Sequence, residues 1–131
     1  MDTYNIGDGS QQIQLTVDIN TIGLAGSRAN AGKPGGTPVA VAHSVDVTGD
    51  IPNSNIGDAK NLKGSTLVIS TLIDLKIVGD KNARKAESDR INGKYILDNG
   101  IDGHKLYDQP DKKMPNADYT TVILLKQFNL L

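Results

Sequence analysis

The sequence predicts an all-β fold, an antiparallel β-sandwich or open barrel of six to eight strands with at most one short helix. Three observations lead there. Apolar and polar residues alternate at period two in several runs, and those runs are separated by stretches rich in Gly, Asn, Asp and Pro. Among 15 acidic residues Glu87 is the only glutamate. Asn and Asp hydrogen-bond their own backbone in turns whereas Glu is the better helix former, so this bias favours turns and strands. At 131 residues, residues 1–131 form one expected domain, large enough to bury a core without metal or disulfide support.

The first predicted strand spans 11–19, where Ile13, Leu15, Val17 and Ile19 alternate with Gln12, Gln14, Thr16 and Asp18. The second, 39–47, places Val39, Val41, His43, Val45 and Val47 on one face. Residues 66–78 are rich in β-branched side chains and read as a long central strand. Asp80 is a candidate cap for a short helix ending near Gly93, although Ala83, Ala86 and Ile91 give only a thin apolar stripe. Two Asn-Gly pairs, Asn92-Gly93 and Asn99-Gly100, flank a strand at 94–98 and predict a meander continuing through 101–107, because type I′ turns need two residues at positive φ. The last strand, 119–128, is apolar on both faces over Val122–Leu125 and so is expected to need cover on both sides. Residues 20–38, 48–65 and 109–118 remain as long loops. Self-association, if any, is expected through the strand at Leu67–Val78 or the C-terminal strand.

Several chemistries are poorly supported. Cysteine is absent, which removes thiolate metal sites and cysteine nucleophiles. His43 and His104 sit in no local catalytic or metal-ligand spacing, and in a regular strand Ser44 would point away from His43. Residues 26–33 resemble a phosphate-binding loop, but the second glycine is one residue late and Pro34 stands where a Mg²⁺-binding hydroxyl belongs; a flexible loop is expected instead. Residues 98–103 approach a calcium loop, with Asp98 and Asp102 at its first and fifth positions. Gly100 and Gln109 supply no carboxylate at the third and twelfth, and a hairpin turn accounts for the same residues. No cofactor, catalytic residue or metal ligand is therefore assigned. With no tryptophan, one phenylalanine and a net charge of −1, the composition argues against a nucleic-acid partner. No apolar run is long enough to span a bilayer. The N-terminus lacks the basic start and apolar stretch of a secretory signal, which places the chain in the cytoplasm as written, or outside the cell if it is a mature fragment.

What remains is a non-enzymatic binding or assembly module whose partner is another protein or a second copy of the chain. If the six strands simply alternate in direction, the connections 20–38, 79–93 and 109–118 emerge at one end and bring eight cations against five anions. The binding residues expected there are Arg28, Lys33, Arg84, Lys85, Lys112 and Lys113, facing an anionic partner. Two other classes are weighed against this one: a calcium-dependent extracellular β-sandwich, and a hydrolase whose carboxyls meet only in the fold.

Overall fold

The computed structural model describes all 131 residues and contains ten strands in two facing sheets. The strands are β1 (Asp2–Tyr4), β2 (Gln12–Asn20), β3 (Leu24–Gly32), β4 (Val39–His43), β5 (Ile51–Asp58), β6 (Thr66–Asp74), β7 (Asn92–Gly100), β8 (Gly103–Tyr107), β9 (Lys112–Pro115) and β10 (Thr121–Leu130). Helix α1 (Ala59–Leu62) is one turn long, and α2 (Lys81–Arg90) is the only extended helix. One sheet has four strands in the order β5-β2-β7-β8. The other has six: β10, β6, β3 and β4 lie side by side, and β1 and β9 share the free edge of β10. All these pairings are antiparallel except β1 with β10.

The all-β sandwich is thus the architecture. The core is one cluster of 24 buried apolar side chains, with Leu15, Val17, Tyr95 and Leu97 from one sheet facing Leu67, Ile69, Ile73, Leu124 and Phe128 from the other. Period two explains who faces in: in β2 the residues Ile13, Leu15, Val17 and Ile19 are all buried while Asp18 and Asn20 are exposed.

The strand count rises to ten because the three expected loops each hide a strand and the N-terminal residues Asp2–Tyr4 add β1. Residues 20–38 contain β3, where Ala25, Ser27, Ala29 and Ala31 point inward. This is a period-two pattern written in small residues, and it lies at the side of the sandwich where β4 of one sheet sits against β5 of the other. Residues 48–65 contain β5 and α1, and 109–118 contain β9. The phosphate-loop look-alike at 26–33 is mostly β3, an ordered strand rather than a flexible loop. In the other direction, two strands are shorter than expected. β4 stops at His43, leaving Val45 and Val47 exposed instead of sharing its face. β6 stops at Asp74, whose carboxylate accepts from the Lys76 N–H and turns the chain into a 3₁₀ turn at Lys76–Val78.

Helix α2 forms where Asp80 suggested, with the Asp80 carboxylate accepting from the Ala83 N–H at 2.9 Å. Asn92-Gly93 is not a turn but the start of β7; the hairpin lies at 100–103, flanked by Asn99 and Gly103 at positive φ. The strands proposed for self-association, β6 and β10, are paired along both edges and have none to offer. No helix is long and apolar enough to cross a membrane.

Candidate functional site

Two places gather polar chemistry. The first is Lys126, on the inward face of β10 and only 2% exposed. Its ammonium donates to the Asp2 carboxylate at 2.6 Å and to Asp111 at 3.2 Å, and lies 5.5 Å from the ring centres of Tyr107 and Phe128. Asp111 also accepts from the Gln127 N–H and donates its own N–H to the Leu125 carbonyl, filling the gap on the edge of β10 between β1 and β9. The sequence reading missed this group, although a lysine at an inward position of the run Val122–Leu130 was the available signal.

These carboxylates converge on a single ammonium. The hydrogen bond from Lys126 holds the Asp2 carboxyl below its ordinary range, outweighing the opposing effect of burial. One ammonium thus serves both acids and ties β1, β9 and β10 together. Burial, followed by the charge of Asp2, pushes the Tyr107 phenol up to about 12, so it stays neutral beside the cluster.

The second place is the outer face of the six-stranded sheet. Register sets two adjacent cross-strand rows there: Met114, Ile123, Leu72 and Gly26, and then Lys112, Leu125, Ser70, Arg28 and His43. Leu72 is 56% exposed and Ile123 36%; Leu24 and Met114 are also exposed, and no element of the chain covers them. Because Gly26 has no side chain, a cleft of about 650 Å³ opens over it, lined by Arg28, His43, Ser44, Ser70 and Leu72 among others. His43 and Ser44 line this cleft together, because β4 ends at His43 and the alternation that would have separated them ends with it. The Ser44 hydroxyl accepts from the Ser27 N–H at 2.9 Å, and His43 Nδ1 donates to the Ser44 carbonyl at 2.8 Å, which leaves Nε2 free.

The six cations singled out in the sequence do not share one end. Because β3 runs the length of the sandwich, Lys33 lies at the end opposite α2, where its ammonium donates to the Lys63 carbonyl. Arg84 donates to the carbonyls of Asp118 and Gly79, Lys113 to that of Ser88, and Lys85 pairs with Asp89. Arg84 and Lys113 pin α2 to its surroundings, while the Lys85 pair lies within the helix. Only Arg28 and Lys112 take part in neither an ion pair nor one of these tethers, and both point out from the same face. Three strand spacings of about 4.8 Å set their backbones about 14 Å apart.

The acidic groups of the calcium-like turn are engaged within the chain. Asp98 meets His104 Nδ1 at 2.6 Å, and Asp102 accepts from the Asn5 N–H at 2.9 Å. No three His, Asp or Glu side chains gather as a metal cage would require. Compared with protein families, characterised proteins and solved structures, the chain matches none of them.

Proposed function

We propose that the protein is a binding module that docks an acidic protein partner against the outer face of its six-stranded sheet. The observation that supports this reading most directly is the pair of untethered cations, Arg28 and Lys112, flanking exposed Leu72 and Ile123 on one surface. An exposed apolar patch rimmed by charge is the usual signature of a contact surface. Five strands at about 4.8 Å and nine-residue strands at about 3.3 Å per residue give a face of at most roughly 700 Å². That is no larger than the ~800 Å² per partner of a standard interface and well short of an obligate one. A second copy packed face to face would set cations against cations, so an acidic partner fits better.

The test compares capture of partners from a cell extract by the wild type and by three variants. Arg28→Ser with Lys112→Ser, and Leu72→Ser with Ile123→Ser, are expected to abolish capture of the same species, and added salt to weaken it. Lys94→Ser on the four-stranded sheet should leave it intact. Capture that survives both outer-face variants would end the proposal.

A further inference from the structure

Gly26 lies mid-strand in β3, paired with Leu72 of β6, and is not among the glycines that need positive φ. A Cβ built there meets nothing nearer than the Ser44 hydroxyl at 4.0 Å. Neither turn geometry nor packing therefore calls for glycine. In strand interiors glycine otherwise marks a bulge, a bend or a place where a ligand or another backbone comes close. The register of β3 with β6 is unbroken from Leu24 to Gly32, which removes a bulge on that side.

What surrounds the open position is selective. The guanidinium-bearing Arg28 and the imidazole of His43 are cross-strand neighbours one row away. Ser70 stands beside Arg28 in the same row, and Ser44 borders the cleft on the side of β4. Leu72 and Ile123 form the apolar wall. A forked five-donor guanidinium with hydroxyls beside it suits a planar carboxylate, and the apolar wall suits the aliphatic stem that carries one. A free inorganic anion would use the donors and leave Leu72 and Ile123 wet.

The geometry points to the cleft over Gly26 as the anchor of the docking face, a pocket for an Asp or Glu side chain on an extended, partly apolar segment of the partner. This rests on the docking role of the outer face and adds which group it recognises. The carboxylate sits on Arg28, with the Ser70 hydroxyl as a further donor and the His43 ring beside it. The segment backbone passes over Gly26, where any larger side chain would stand in its way.

The experiment titrates a short synthetic peptide of alternating leucine and glutamate into ¹⁵N-labelled protein, following amide shifts and fluorescence anisotropy. Shifts are expected at Gly26, Ser27, Ser44 and Ser70. Gly26→Leu should weaken binding about tenfold or more, the scale of losing a charge-assisted hydrogen bond, while its melting temperature stays at or above that of wild type. Arg28→Glu should reverse preference toward a leucine–lysine peptide. The anchor is overturned if Gly26→Leu binds equally well, if the lysine peptide binds wild type as tightly, or if acetate or inorganic phosphate alone gives the same shifts. Partner capture that is lost in the Leu72→Ser/Ile123→Ser variant but unchanged in Gly26→Leu would sink the anchor and leave the docking face standing.

Discussion

The two sheets turn very different outer faces to water. On the four-stranded sheet the rows read Gln14 with Asp98, Thr16 with Ile96, and Asp18 with Lys94, polar except where Ile96 meets Leu106. On the six-stranded sheet the matching positions are Leu24, Leu72, Ile123 and Met114, with two untethered cations beside them. Strands that are apolar on both faces are normally found where both faces are covered. Here β10 has that composition over Val122–Leu125, and β6 adds outward Val68 and Leu72, yet the fold supplies cover on one side only. The difference separates the two demands on an apolar residue: inward ones hold the sandwich together, and outward ones remain available for something else.

Removing β10, the strand that carries both kinds of apolar residue, should have the largest effect. β10 pairs with β1, β6 and β9, and contributes Val122, Leu124, Phe128 and Leu130 to the core. Truncation after Asp118 should abolish the cooperative thermal transition. A fragment that still melts cooperatively would show that β10 is peripheral.

Single substitutions on β10 separate the inward from the outward residues. Leu124→Ala removes a fully buried side chain and should cost about 2–5 kcal/mol in urea unfolding. Its neighbour Ile123→Ala, on the outer face, should cost less than about 1 kcal/mol because its side chain is already partly hydrated. Equal losses would mean that the outer face also carries the fold. Lys126→Ala should fall between the two, at about 1.5–3 kcal/mol, the scale of a lost charged hydrogen bond, because the Asp2 and Asp111 carboxylates it leaves are partly exposed and can hydrate.

A smaller effect is expected from acid. Burial would raise the Glu87 carboxyl, but the Ile22 N–H, Arg90 and the Thr21 hydroxyl outweigh it, and Asp2 is lowered by Lys126. Both folded-state values therefore lie below the unfolded ones. Their contribution is fully present above the ordinary carboxylate range and is lost as pH falls through the lowered folded values. The melting temperature should drop on acidification, and Glu87→Gln should flatten the part of that slope due to Glu87. An unchanged slope in the variant would remove Glu87 from the account.

How much of this could be read from the chain depends on which residues do the packing. β2 was plain because Ile, Leu and Val alternate with Gln, Thr and Asp. β3 was hidden because its inward positions are Ala25, Ser27, Ala29 and Ala31, too small to stand out from loop composition, and β5 because Pro52, Asn53, Ser54 and Asn55 read as a turn. Losing β3 misplaced Lys33 by the length of the sandwich. Arg28 and Lys112 were selected on charge, but their common face follows from the register of β9, β10, β6 and β3, residues 84 apart in sequence brought together by long-range pairing. Local pattern carries no such information. The Lys126 cluster likewise joins residues 2, 111 and 126.

The smallest predicted change has the opposite sign. Glycine loses more backbone freedom on folding than any other residue, and a β-branched side chain fits a pleated strand better. A substituent at Gly26 meets no clash, and the backbone there lies outside the positive-φ region that L residues avoid. Gly26→Val should therefore stabilise the fold by about 0.5–1 kcal/mol, the range seen when glycine is replaced at a compatible site. The four-stranded sheet gives the contrast: at inward-facing Gly93 a Cβ would lie 2.7 Å from the Tyr95 hydroxyl, so Gly93→Val should destabilise. Urea unfolding of the two variants decides the matter. If Gly26→Val also destabilises, the glycine serves the fold itself and the cleft above it is a by-product. If it stabilises, the chain carries a weaker residue than its own backbone allows at the one outer-face position where an incoming segment needs room.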